Sequence, residues 1–261
     1  MLKEWVEHLG ERFLRFLSYV GSIWNLFIET VFMLFNRPIG RKRVFEQMAK
    51  IGVASLPIVF LTSLFTGMVL ALQSAYQMQK IGAQIYISSL VALSITRELG
   101  PVLTALVVAG RTGAAIAAEL GTMRVTEQID ALETLATNPT KYLVVPRFLA
   151  LFFMLPVLTV YSDFIGILGG FVVGVWKLGI GHSMYMRMTY NTLVFKDIFT
   201  GLIKASVFAI IIAVISCREG LYTEGGAEGV GKSTTRAVVI SFILIIAADC
   251  LFTALFYFMF K

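Results

Sequence analysis

The chain has 261 residues, 57% of them hydrophobic and 15% charged, with a mean hydropathy of +0.82 and a formal net charge of +6. Soluble domains carry about 25% charged residues, so the composition excludes a soluble enzyme and indicates an integral membrane protein. The two cysteines, Cys217 and Cys250, lie at or within apolar segments and have neither the number nor the spacing for a disulfide framework or a metal site.

Residues 2–20 read as an amphipathic helix. Leu2, Trp5, Val6, Leu9, Phe13, Phe16, Leu17 and Val20 recur at helical spacing, and Lys3, Glu4, Glu7, Glu11, Arg12 and Arg15 fill the other face. Such a helix lies in the membrane interface, and its acids rule out a cleaved signal segment. Residues 20–35 are apolar but hold Asn25 and Glu29 and fall short of the roughly 20 residues that a crossing needs. They read as a second interfacial or elbow segment, so residues 1–36 form one unit. Arg37, Arg41, Lys42 and Arg43 then suit a cytoplasmic headgroup layer.

Five segments long enough to span follow: residues 51–79, 85–110, 148–176, 198–217 and 237–260. The expected fold is thus all-α, with N-terminal interfacial helices followed by a five-span domain over 37–261. Counting Lys and Arg with the N-terminus inside puts fifteen on the inner side and five outside, the last being Lys80, Lys177, Arg187, Lys196 and Lys261. The positive-inside rule therefore predicts a cytoplasmic N-terminus and an external C-terminus.

The stretch from Arg97 to Leu135 concentrates the unusual residues. Arg97 and Glu98 interrupt an apolar span, as do Asp163, Lys204 and Asp249 in theirs. A charge in hydrocarbon is costly and implies pairing or function. Arg97, Asp163 and Asp249 fall about midway along their spans and Lys204 lies in the outer half. The five are expected to form an ionic network that acts as a lock, as a gate or polar lining of a transport path, or as an ion relay. Pro101 removes the backbone donor that would reach Arg97 and predicts a bend beside the charged pair. Two lanes of small residues follow at a spacing of four, Gly110, Ala114, Ala118 and Gly113, Ala117, Gly121, and predict a close helix-packing seam.

Residues 119–140 set Glu119, Glu127, Asp130 and Glu133 against Arg124 alone. With a stripe of Val125, Ile129, Leu132 and Ala136, they read as an amphipathic acidic helix. Anionic lipid repels such a face, so a groove on a soluble partner suits it better. Gly226 to Ser233 matches the pattern GxxxxGK[ST], yet that loop binds phosphate only between a buried strand and a helix. Here it reads as a flexible glycine-rich loop, with Lys232 and Arg236 as inside anchors and Thr234-Thr235 capping the last helix. His8 and His182 stand apart in a terminal helix and an outer loop, and no catalytic constellation is present.

The run Arg97-Glu98-Leu99-Gly100-Pro101, with Ala109-Gly110-Arg111, Ala118-Glu119-Leu120-Gly121, Met123-Arg124, Thr126-Glu127-Gln128, Gly229-Val230-Gly231 and Thr234-Thr235-Arg236, resembles the MlaE (YrbE, toluene-tolerance) permeases over roughly residues 40–261. The resemblance implies a multi-pass subunit of the bacterial inner membrane in an ABC system. It also implies movement of phospholipid to a periplasmic MCE-domain lipid carrier, in support of outer-membrane lipid asymmetry. The implied partners are a second copy of the chain, an ATPase subunit that binds the ATP, the MCE ring and a small STAS-domain subunit. No cofactor, metal or nucleic acid is implied. Residues 119–136, including Glu119, Arg124, Glu127, Gln128 and Asp130, would hold the coupling helix. The competing reading is an ion-coupled secondary transporter using the midplane charges. Such proteins often show internal repeats, and no convincing repeat is found here.

Overall fold

The computed structural model describes the backbone of residues 2–36 and 40–259, and side chains from Gly10 onward except Phe16 and Asn36. The side chains of the stripe positions before Gly10, of His8 and of Phe16 lie outside the description, as do Arg37 and Lys261 altogether. Every regular element among the described residues is helical. They are α1 (Leu2–Asn36), α2 (Arg41–Gly52), α3 (Leu56–Lys80), α4 (Ile87–Ser94), α5 (Gly100–Val108), α6 (Ala114–Val125), α7 (Gln128–Thr134), α8 (Val145–Trp176), α9 (His182–Thr192), α10 (Phe195–Leu221) and α11 (Gly226–Met259). Short 3-10 and π turns link α2 to α3 and α4 through α6. Six uninterrupted helical stretches among the described residues are long and apolar enough to cross a membrane.

One of those six is Gly10–Phe35, so the N-terminal region departs from its sequence reading. The expected pair of interfacial segments is a single helix, because nothing between Gly10 and Phe35 breaks the helical pattern. Its contacts all lie at one end of the bundle. The Tyr19 hydroxyl donates to Glu219 (2.8 Å), Ser22 accepts from Arg218 (3.0 Å), the Phe27 ring meets that of Phe148 at a tilt and Glu29 accepts from Asn138 (3.3 Å). From Tyr19 to Glu29 the helix rises about 15 Å, and over that length the hydrogen bonds and ring contact to the rest of the chain named above go to residues 138–148 and 218–219.

Helix α8 is the centre of the bundle and packs most extensively on α3 and α10. Ser63, Gly67 and Ala71 on α3 recur every four residues and face Ser162, Gly166 and Gly170 on α8, so the two backbones approach closely. A Cβ on Gly67 would sit 1.9 Å from the Gly166 carbonyl oxygen, and Ser63 and Ser162 hydrogen-bond at 2.7 Å across the seam. The main core then fills with Leu120, Leu151, Leu155, Leu158, Phe208 and Ile212. The lane Gly113, Ala117, Gly121 meets α10 and the turn that follows it: a Cβ on Gly113 would lie 2.8 Å from the Ser216 hydroxyl, and one on Gly121 2.8 Å from that of Thr223. The other lane stays more open. Gly110 is exposed, and its nearest neighbour is Phe242 at 3.7 Å from an ideal Cβ.

Two further expectations change. The string from Gly226 to Ser233 is no loop but the opening two turns of α11, with Lys232 paired to Glu228 one turn earlier (2.6 Å). Thr234 and Thr235 therefore sit inside α11, and their hydroxyls bond back to Val230 and Gly231 rather than capping the helix. The connection after α8, read from the sequence as an outer loop, also contains a helix that sequence reading missed, α9, with His182 at its first position.

The α3–α8 seam gives a direct test. Gly67→Ala is expected to lower the thermal unfolding midpoint in detergent, with an overpacking cost of about 1–3 kcal/mol. Gly231→Ala, whose Cβ meets nothing within 4 Å, is expected to be neutral or stabilising by up to about 1 kcal/mol. Equal midpoints for the two variants would contradict the close crossing.

Candidate functional site

The site is built where the helix carrying Arg97 loses its regular hydrogen bonding. Residues Ile95–Leu99 form a π turn between α4 and α5, with the Gly100 N–H donating to the Ile95 carbonyl. Pro101 has no N–H, so the Arg97 carbonyl is denied its ordinary donor four residues on. Lys204 of α10 approaches that carbonyl instead, at 3.3 Å. The approach requires glycine at position 201, where a Cβ would lie 2.6 Å from the Thr96 carbonyl oxygen. π turns of this kind recur at functional sites, and the bend expected from Pro101 takes this form.

Lys204 is 1% exposed and is surrounded by acceptors. Its ammonium donates to Glu98 (2.6 Å), to Asp249 (2.9 Å) and to the Thr253 hydroxyl (2.8 Å). Thr253 in turn lies 3.1 and 3.2 Å from the two Glu98 oxygens. One turn away in space, Arg97 places both Nε and Nη2 at 2.7 Å from Oδ1 of Asp197. The Asp197 side chain is 4% exposed, whereas that of Arg97 is 54% exposed. The other Asp197 oxygen accepts the Val194 N–H (3.3 Å) and so caps the start of α10. A cavity of about 410 Å³ opens over this cluster. Its walls are Arg97, Glu98, Lys196, Asp197, Thr200 and Lys204, with Thr253, Phe256 and Tyr257 contributed by α11.

Of the five charges expected to cluster, four come together: Arg97, Glu98, Lys204 and Asp249. Asp163 stands apart, with Oδ1 buried against Gly100 and without a hydrogen-bond partner. Asp197 was missed because the apolar run was read from residue 198, leaving Asp197 and Lys196 in an outer loop. An acid three residues after Val194, at the head of an apolar run, was the available signal. No group of three or more His, Cys, Asp or Glu among the described residues could hold a metal ion.

The acidic segment at the other end is not one helix. It ends α6 at Val125, turns at Glu127 with φ of 59°, and resumes as the short α7. The expected apolar stripe is therefore split. Val125 is exposed, Ile129 is buried, Leu132 packs against the core, and Ala136 is a second left-handed position with φ of 56°. Several of the acids are also engaged within the chain. Glu119 bridges Lys50 (3.1 Å) and Arg147 (3.2 Å), tying α6 to α2 and α8. Arg124 pairs with Asp130 across the turn. Glu127, Gln128 and Glu133 remain exposed at the tip.

The family model "Permease MlaE" matches residues 44–255, a run that includes both the charged cavity and the acidic turn. The chain belongs to the MlaE permease family. A "Probable ABC transporter permease protein" of Rickettsia felis is 46% identical over 98% of this chain and 99% of its own length. The "Intermembrane phospholipid transport system permease protein MlaE" of Haemophilus influenzae is 36% identical over 98% of this chain and 99% of its own length. "Protein TRIGALACTOSYLDIACYLGLYCEROL 1, chloroplastic" of Arabidopsis thaliana is 39% identical over 88% of this chain and 65% of its own length. Within this MlaE chain, one continuous helical run, Gln84–Val125, carries Arg97 and Glu98 of the ionic cluster and ends at the acidic turn.

The pairing scheme predicts energetic coupling within the cluster and none to Asp163. Arg97→Gln and Asp197→Asn together are expected to cost less than their sum by about 0.5–3 kcal/mol in a thermal unfolding cycle. Lys204→Met combined with Asp163→Asn is expected to be additive. A coupled Lys204–Asp163 pair, or an additive Arg97–Asp197 pair, would contradict the geometry.

Proposed function

We propose that this MlaE-family chain is the membrane permease subunit of an ABC transporter that moves phospholipid, and that the cavity over Arg97, Glu98 and Lys204 receives the lipid headgroup. The cavity carries the reading. It sets paired charges, with Lys204 buried and Arg97 and Glu98 open to the cavity, among helices whose outer surfaces are otherwise apolar, which suits a molecule with a polar head and hydrocarbon tails. The names of the Haemophilus influenzae and Rickettsia relatives support both parts, the phospholipid and the ABC system.

In this scheme the chain sits in the bacterial inner membrane with its N-terminus in the cytoplasm. Helix α1 lies along the cytoplasmic face, as its contacts at a single end of the bundle suggest, and five helical runs cross. A separate ATPase subunit binds and hydrolyses ATP. It docks on the exposed Glu127, Gln128 and Glu133 at the turn between α6 and α7. Movement there is passed along the run that carries Arg97 and Glu98, while the Glu119 bridges to Lys50 and Arg147 hold that run against α2 and α8. A second copy of the chain, a periplasmic MCE-domain carrier and a STAS-domain subunit complete the assembly, which moves phospholipid between envelope membranes and maintains outer-membrane asymmetry.

The test is reconstitution of the purified complex in vesicles with ATP. Arg97→Gln is expected to cut lipid transfer by about tenfold or more, the scale of one charge-assisted hydrogen bond, while the ATPase subunit still co-purifies. Glu127→Lys with Glu133→Lys is expected to lose the ATPase subunit while the permease remains folded. Wild-type transfer by the first variant and wild-type ATPase recovery by the second would together overturn the assignment. Transport that persists without an ATPase subunit and follows an ion gradient would favour the secondary-transporter reading instead.

A further inference from the structure

We propose that the start of α2 and the turn before α8 together hold the headgroup of a resident anionic phospholipid, at a site separate from the cavity over Arg97. Arg41, Lys42 and Arg43 open α2, and Lys141 belongs to the π turn Thr140–Val144 that leads into α8. The Arg43 guanidinium lies over the Tyr142 ring, 3.9 Å from its centroid, and so joins the two segments into one corner. The proposal rests on the placement of α1 along the cytoplasmic face and not on the cavity.

The cations of this corner have no counter-ion within the chain. Arg41, Lys42 and Arg43 are exposed and Lys141 is half-buried, and none of the four pairs with a carboxylate among the described residues. The acids of the same end are engaged elsewhere. Glu119 bridges Lys50 and Arg147, and Asp130 pairs with Arg124. Glu29 and Glu133 line a different recess, together with Arg124 and Asn138. Glu46 is the one carboxylate of α2. It stands one turn beyond Lys42, where a helix allows an ion pair, yet it forms none and is exposed. Four cations thus stand against one carboxylate, and an anion from outside the chain supplies what is missing. One face of the Arg43 guanidinium is taken by Tyr142, and its N–H edge remains for a phosphate.

Its level suits a headgroup. Asn138, three residues before Lys141, donates to Glu29 of α1, and α1 turns Trp24, Ile28 and Phe32 outward. A helix with such an apolar face lies at the boundary of headgroups and acyl chains, so Lys141 and Arg43 stand at that boundary too. Phe45, 68% exposed, lies one turn beyond Arg41 on the same helix face and offers acyl chains an apolar surface beside the cations. A net negative headgroup is attracted by each cation near the surface, whereas a zwitterionic one brings an ammonium that the same cations repel.

The experiment uses the full transport complex, with Phe45 replaced by the photo-crosslinker benzoyl-phenylalanine, in nanodiscs of equal parts phosphatidylglycerol and phosphatidylethanolamine. Adducts at position 45 are identified by mass spectrometry after irradiation. Phosphatidylglycerol adducts are expected to exceed phosphatidylethanolamine adducts on the order of tenfold. The ratio is expected to fall to that of the bulk in about 1 M salt, which screens exposed charges beyond about 3 Å. It should fall likewise in a variant combining Arg41→Gln, Lys42→Gln, Arg43→Gln and Lys141→Gln, and stay unchanged in Arg97→Gln. A second measurement omits the crosslinker: the wild-type complex should retain phosphatidylglycerol above its bulk share through purification, and the neutralised variant should not. Adducts in the bulk ratio, an excess of phosphatidylethanolamine, or a ratio indifferent to salt and neutralisation would overturn the proposal and leave the cavity reading intact. Adducts to the ATPase subunit in place of lipid would overturn it in favour of a protein contact. Absence of any lipid adduct would overturn it together with the placement of α1.

Discussion

The ammonium of Lys204 must be held in a protein interior, inside a helix that is otherwise apolar, and much of the structure follows from that constraint. A buried ion costs several kcal/mol unless it is paired and its hydrogen bonds are filled. Glu98, Asp249, Thr253 and the Arg97 carbonyl meet that need from two other helices. Because the partners come from α11 and from the π turn before α5, the ion pair fixes the mutual register of three helical runs. Removing Lys204 would leave Glu98 and Asp249 facing one another without their shared counter-ion.

The local backbone is shaped to the same end. Pro101 frees a carbonyl, the π turn aims it, and Gly201 lets α10 come close enough for Lys204 to reach it. Asp197 extends the arrangement outward: one oxygen fixes Arg97, and the other caps the first turn of α10. The conformation of an exposed cation is thereby tied to the end of a membrane helix. Nearer the far end, Glu119 does similar work with Lys50 and Arg147, so the run from Gln84 to Val125 is anchored ionically at two levels.

Much of this was legible in the sequence because the signals were strong and local. Single charges in long apolar runs, Pro101 beside Arg97 and small residues at a spacing of four each have one dominant physical reading. What escaped depended on three-dimensional partners. Asp163 has the same sequence signature as Asp249, yet it lies against Gly100 of α5 and is not paired with Lys204, and only the packing separates them. Asp197 lay just beyond the edge of an apolar run. The acidic segment had helical periodicity throughout, but the left-handed Glu127 splits it and Ile129 and Leu132 turn into the core. The glycines from Gly226 to Gly231 suggested a loop by composition. Packing overrides that weak propensity, since Gly229 sits where a Cβ would be 1.8 Å from the Glu224 carbonyl oxygen.

The central claim is that one neutral cluster of paired charges, held by a π turn, serves as the polar end of a lipid site. Lipid-resolved cryo-electron microscopy of the assembled transporter in nanodiscs tests it most directly. The account predicts headgroup density in the cavity, with a phosphate oxygen at about 3 Å from the Arg97 guanidinium, the distance of a charge-assisted hydrogen bond, and acyl chains leading away past Phe256 and Tyr257. Lipid bound elsewhere in the complex, with this cavity holding only water while transport proceeds, would contradict it.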